Sequence, residues 1–231
     1  MAGLLRRLAL LSARLGVQPQ LILSSATVSD PLDLAARLTA RPAAGFSLID
    51  EHSDGSQQAI KHWSVLSPIA ASHMAARPYL SAAALAMVDL LCATDEYGTP
   101  RPVNTVLFAR SMKDVHAAYE IVRRNLEHRR PDLLPKVRKC IGAELKPDDK
   151  RQIYEGLKHG TYVGVISTNA LEAGVDSGEL RACIFAGFPY TVMRMRQMAG
   201  RVGRKGEGLV IFVRIRPVEW TPSTAKTRSA C

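Results

Sequence analysis

The sequence predicts an α/β fold, a doubly wound parallel sheet with flanking helices, and three observations carry that expectation. Short apolar runs such as "VNTVLFA", "TYVGVIS", "LRACIFAGF" and "GLVIFVRI" lack polar alternation and read as strands buried on both faces. Segments with helical apolar spacing lie between them, and strands alternating with helices argue parallel pairing through crossovers. Small polar residues and glycines gather where strands end, as in "STNALEAGVD" at 167–176 and "QMAGRVGRKG" at 197–206. In such a sheet ligands sit at the carboxyl ends of the strands, and these segments are expected there.

Residues 1–50 read as helix, strand, helix. The opening "MAGLLRRLALLSARLG" is an amphipathic surface helix, because arginines interrupt its apolar part. "QLILSSAT" at 20–27 has the look of a buried parallel strand. "SDPLDLAARL" starts a helix, with Ser29 or Asp30 as the cap and Pro31 in the first turn. Residues 51–78 are taken as a connector holding one or two short strands.

The regular pattern runs over 79–216. It opens with a helix near 80–92 and the strand "VNTVLFA", then a helix over 111–128. That helix should bury Met112, Val115, Tyr119, Val122 and Leu126 on one face. A short strand near "VRKCIGA" precedes a helix starting at Pro147 and stopped by Gly160. The remaining strands "TYVGVIS", "LRACIFAGF" and "GLVIFVRI" follow, with a helix over "VMRMRQMAGR" before the last. The tail, 217–231, has prolines and little periodicity and is expected to be loose.

Composition narrows the function classes. Hydrophobic residues make up 47% of the 231, enough for a core and too many for wholesale disorder. No apolar run is long enough to span a membrane. Lys and Arg outnumber Asp and Glu by 31 to 21, for a net charge of +10, which suits either a nucleic-acid partner or a solvated basic surface. Cys92, Cys140, Cys183 and Cys231 are scattered and form no CxxC pair. They predict reduced thiols in a cytoplasmic protein, with no metal site.

The motifs say more. "GVISTNALEAGVD" resembles motif V of superfamily 2 helicases, and "QMAGRVGR" resembles their motif VI, Q-x-x-G-R-x-G-R. "SAT", Ser25 to Thr27, resembles motif III, and the three stand in the family's order. "TNALEAGVD", "GFP" and "LIDE" look most like the DEAD/DEAH-box branch that contains YprA-like repair helicases. The resemblance implies a second RecA-like domain over 79–216, with 1–50 as the remnant of a first.

It also implies roles. Phosphoryl transfer spreads negative charge over the γ-phosphate oxygens, which fixed guanidiniums stabilise. Arg201 and Arg204 would be those arginine fingers, and Gln197 would organise the γ-phosphate and attacking water. Gly200 and Gly203 would turn the backbone so that both guanidiniums converge at the ATP. Taken alone, "GRVGR" is equally a helix C-terminus with favourable basic residues. Asp176 is expected near the ATP ribose or catalytic water, with Gly174 permitting the turn. Ser167, Thr168 and Asn169 suit a nucleic-acid phosphate, as do Arg110 and Ser111 of "FARS" at the motif IV position. Arg138 and Lys139 are either further backbone contacts or exposed charges. Ser25, Ala26 and Thr27 would link ATP state to domain movement.

"LIDEH" at 48–52 imitates the family's Mg2+-binding acidic motif but follows SAT, where the family places that motif before it. No G-x-x-x-x-G-K-[ST] occurs in the sequence. ATP and Mg2+ are therefore expected in a complete enzyme, with none bound tightly by this chain alone. Three readings follow. The chain is the C-terminal half of an ATP-dependent DNA helicase, inactive by itself; or it completes an ATPase in trans with a separate P-loop chain; or it is a non-enzymatic nucleic-acid-binding module. Nucleic acid, DNA before RNA, is the expected partner in all three, and no membrane is.

Overall fold

The structure, a computed structural model, describes residues 2–17, 19–25, 28, 30–50, 53, 60–68, 77–140, 146–168, 180–203 and 206–215. The chain divides into two compact units, Met1–Gln58 and Ala59–Cys231.

The first unit holds helix α1 (Ala2–Arg14), helix α2 (Pro31–Thr39) and a 3-10 turn at Ala43–Gly45. Asp30 caps α2, its carboxylate accepting the Asp33 N–H at 3.0 Å, and Pro31 occupies the first turn where no N–H is needed. The strand expected over 20–27 does not form over its described residues, 20–25. A strand is held by ladder bonds to a neighbour, and the described residues among 2–50 contribute no strand to pair with. Ile22 is accordingly 85% exposed, and Leu4, Leu11 and Leu15 are exposed as well.

The second unit is built on a six-stranded sheet. Its strands are β1 (Lys61–Leu66), β2 (Thr105–Phe108), β3 (Val137–Cys140), β4 (Gly164–Ser167), β5 (Ala182–Ala186) and β6 (Gly208–Val213). The order across the sheet is β1-β6-β5-β2-β4-β3, and every pairing is parallel. Segment 61–66, read from sequence as part of a connector, is thus an edge strand. Its mostly exposed side chains hide the apolar run by which the central strands are recognised.

Alternation of side chains sends each central strand to both faces. Leu107, Ile166, Ile184 and Ile211 pack with α3 (Pro78–Leu91) and α4 (Met112–Arg129). Val106, Phe108, Val165, Cys183, Phe185 and Val210 pack on the other face with α5 (Pro147–Lys158) and α6 (Val192–Ala199). Phe108 and Phe185 stack across β2 and β5 at 5.5 Å between ring centroids. The sheet is therefore wound on both faces, as the sequence predicts.

Helix α4 departs from its expected face in its first turn. Val115, Val122 and Leu126 are buried and Tyr119 is half-buried, but Met112 is exposed and Asp114 is 4% exposed. Asp114 is tolerated there because Arg77 pairs with it and the Tyr79 hydroxyl bonds it. Burial first, and then this carboxylate, raise the Tyr79 pKa.

Cys183 is fully buried in β5, and burial pushes its thiol up to about 12. Unfolding would return it to its ordinary value of 9.0, so above that pH the unfolded chain releases a proton that the folded chain keeps. Its contribution is full below pH 9.0 and is lost as pH rises toward about 12. Urea unfolding at about pH 8 and about pH 10.5 should show the wild type losing about 2 kcal/mol more than Cys183→Ala between the two. Equal losses would contradict a buried, neutral thiol.

Candidate nucleic-acid and nucleotide-contact site

Parallel strands β2 and β4 pair with Phe108 opposite Ser167, and the Ala109 N–H donates to the Ser167 carbonyl at 2.8 Å. This brings two of the expected segments to adjoining strand exits. Arg110 and Ser111 leave β2 beside Thr168 leaving β4. Ser167 itself is fully buried, so Thr168 is the member of that pair that reaches the surface. Ser111 caps α4, its hydroxyl accepting the Asp114 N–H at 3.2 Å. Asn169, Gly174 and Asp176 lie outside the described residues, as do Ala26, Thr27 and Arg204. Ser25 is exposed in the first unit.

Arg110 lies across the exit of β5 as well. Its guanidinium stands 5.6 Å from the centroid of the Tyr190 ring, within cation–π range. Together with Gly187, Pro189 and the ends of β2 and β5 these side chains line a shallow hollow. Tyr190 holds a left-handed backbone, φ 67°, which costs a non-glycine residue about 1–2 kcal/mol. Sequence reasoning passed over Tyr190, because Pro-Tyr-Thr carries no signal for that conformation.

The other expected segment lies elsewhere. Thr191 caps α6 by accepting the Arg194 N–H at 3.1 Å, and the helix then returns toward the start of the next parallel strand. At its far end the Gly203 N–H donates to the carbonyl of Leu180, which precedes β5. The backbone of Arg201 and Gly203 therefore sits at the amino end of the sheet, away from the exits of β2 and β4. The expectation that both glycine-rich segments share the carboxyl edge does not hold, and the reason is the crossover: one helix separates a strand's exit from the next strand's entry.

The two glycines differ in kind. Gly200 has ordinary helical angles, φ −62° and ψ −15°, so its expected role in a sharp turn is not what the backbone shows. It prolongs α6, so that Arg194, Gln197 and Arg201 fall at i, i+3 and i+7 on one stripe, each half-buried. Arg194 was missed from sequence, although this spacing could have indicated it. Gly203, at φ 71°, is the true turn, and a Cβ there would meet the Gly208 backbone at 2.8 Å.

Arg138 and Lys139 each cover a ring, Arg138 over Tyr162 and Lys139 over Tyr119, both at 4.9 Å. Lys139 Nζ also lies 3.3 Å from His116 Nδ1. Among the described residues no cluster of three or more His, Cys, Asp or Glu could hold a metal, and no helix is long and apolar enough to cross a membrane. Cys92 and Cys183 are free thiols.

An all-parallel sheet in this strand order, covered on both faces, is a doubly wound fold of the RecA-like kind. The chain belongs to the superfamily 2 helicases: residues 88–206 match the helicase conserved C-terminal domain. It is 34% identical over 218 residues to an uncharacterized ATP-dependent helicase, YprA of Bacillus subtilis, covering 92% of this chain and 27% of that protein. The crystal structure of the DUF1998 helicase MrfA bound to DNA and AMPPNP superposes with a TM-score of 0.74 at 31% identity, over 94% of this chain and 28% of that one. Mycobacterium smegmatis helicase Lhr bound to ssDNA and AMP-PNP shares the fold, at 21% identity and a TM-score of 0.53, over 68% of this chain and 20% of that one. The chain thus spans about a quarter of the length of its more similar relatives.

Two substitutions separate the turn geometry from glycine content in general. Gly160, at φ 72°, has open space where a Cβ would go, so Gly160→Ala should cost about 1 kcal/mol from the backbone angle alone. Gly203→Ala adds a clash with backbone that cannot rotate away and should cost about 2 kcal/mol or more by urea unfolding. Equal costs would contradict the close approach of Gly203 to Gly208.

Proposed function

We propose that this chain is the C-terminal part of an ATP-dependent DNA helicase, contacting the nucleic-acid backbone and supplying arginines to the nucleotide. The observation that carries the reading is the convergence of Arg110, Ser111 and Thr168 at the adjoining exits of β2 and β4. A guanidinium, a hydroxyl and nearby N–H groups are the donor set that phosphate oxygens require. DNA is preferred to RNA because MrfA, 31% identical, is described as bound to DNA. Arg201 and Arg204 are the fingers of this proposal and Gln197 orients the γ-phosphate, with Asp176 and Gly174 on the ribose side. The nucleotide then meets the α6 stripe rather than the carboxyl edge, which leaves that edge to the strand. ATP and Mg2+ are cofactors of the complete enzyme. Residues 1–50, including Ser25, Ala26 and Thr27, belong to the first RecA-like domain of that enzyme, and 79–216 form the second.

A P-loop domain, joined to this chain or separate from it, is the second requirement. The exposed apolar residues of the first unit, Leu4, Leu11, Leu15 and Ile22 among them, favour such a partner surface. In this reading the chain alone hydrolyses no ATP.

Both parts are open to measurement. Affinity for a single-stranded oligonucleotide should fall as salt rises, and Arg110→Ala should reduce the slope of log K against log salt by about one. Binding that ignores salt would contradict backbone contact. No DNA-stimulated hydrolysis should occur with the chain alone. Adding a P-loop domain should restore it, and Arg204→Ala should then lower turnover by about a thousandfold. Full turnover in that variant would remove the arginine finger from the account.

A further inference from the structure

Resting on the nucleic-acid reading above, we infer that Tyr190 and Arg110 form a stacking platform for one unpaired base of a single strand. The site lies where the connections of the sheet reverse. From β2 the chain leaves through α4 toward β3, whereas from adjoining β5 it leaves through α6 on the opposite face toward β6. The carboxyl ends between two such strands form the crevice in which an open parallel sheet binds ligands.

The side chains there are arranged for a flat, exposed ring rather than for packing. Tyr190 is 58% exposed even though its left-handed backbone is a costly one for tyrosine. A residue with no role would relax by becoming glycine, and a core residue would bury its ring. Arg110 lies over the ring at 5.6 Å from its centroid, and more than half of Tyr190 stays exposed. Gly187, at φ 87°, keeps Arg110 in place: a Cβ there would come 3.1 Å from Arg110 Cδ and 2.6 Å from Ile215 Cδ1. Phe188, 42% exposed, stands edge-on to Phe212 of β6 at 6.3 Å and anchors the same loop to the sheet.

The hollow beside the ring is too shallow to enclose a nucleotide. A ring face, an arginine held against it and phosphate donors one strand away are what single-strand binding uses: bases stack while the backbone follows the basic groups. Stacking of this kind carries no sequence preference, because every base offers a π-face. The platform would grip a base at the exit of β5 while Arg110 and Thr168 hold the adjacent backbone.

The test compares binding of an oligothymidylate with that of an abasic oligodeoxyribose phosphate of the same length. The full chain and two variants are used. Tyr190→Phe keeps the ring; Tyr190→Gly removes it and suits the left-handed backbone, so its fold is retained, as thermal melting would verify. The wild type and Tyr190→Phe should prefer the oligothymidylate by about tenfold, and Tyr190→Gly should bind both oligomers alike. A wild-type preference that survives in Tyr190→Gly overturns the platform, as does equal binding of both oligomers by the wild type; the backbone-contact reading stands in either case. Binding of neither oligomer by the wild type overturns both.

Discussion

In-register parallel pairing of β2 with β5, Thr105 opposite Ala182 and Phe108 opposite Phe185, is the constraint on which the second unit depends. Because the two strands run the same way, each must be followed by a crossover, and their crossovers take opposite faces. The stacked rings of Phe108 and Phe185 lock the pair on the face covered by α5 and α6, while Leu107 and Ile184 lock it on the other. Displacing one strand by a single residue would exchange those faces and put every side chain into the wrong layer. The same pairing sets Ala109–Arg110 beside Gly187, and the β2–β4 ladder sets Ala109 beside Thr168.

Function follows from where crossovers begin and end. Residues that leave the central strands share one edge of the sheet, and these are the groups suited to a strand of nucleic acid. Residues at the end of α6 have travelled the length of the helix, and Gly203 ties them to Leu180 at the opposite edge. The stripe formed by Arg194, Gln197 and Arg201 runs along this return path. A helicase must couple what happens at a nucleotide to what happens at a strand. In the proposed reading α6 is the physical link, capped by Thr191 next to the Tyr190 ring and ending at the arginines assigned to the nucleotide.

Much of this was legible in the sequence, for reasons that differ by element. The central strands were readable because burial on both faces removes polar residues, as in "LFA" and "CIFAG". Helix ends were marked by Ser111, Pro147 and Gly160. The apolar run at 20–27 misled, because strand character depends on a neighbour as well as on composition. β1 falls in the segment expected to hold one or two short strands, but its place in the sheet beside β6 was masked, because its exposed edge position leaves a polar pattern. Asp114 defeated the helical-face argument because its cost is met by Arg77 and Tyr79, residues far away in sequence. At the site, Arg110 was singled out because "FARS" stands at the motif IV position of the family that the chain resembles, whereas the strain at Tyr190 is a property of the folded loop. The separation of Arg201 from the strand exits was hidden for a simpler reason: motif order along a chain does not state which end of a crossover helix a motif occupies.

The central claim is that the carboxyl ends of β2, β4 and β5 form one nucleic-acid surface and the amino end of the sheet does not. Backbone amide chemical-shift mapping of the full chain with a single-stranded DNA oligonucleotide tests it most directly. The account predicts large shifts at Ala109–Ser111, Thr168, Gly187, Phe188, Tyr190 and Thr191, with the amides of Arg201, Val202 and Gly203 little changed. Shifts concentrated at Arg201–Gly203, or along the exposed edge of β1, would contradict it.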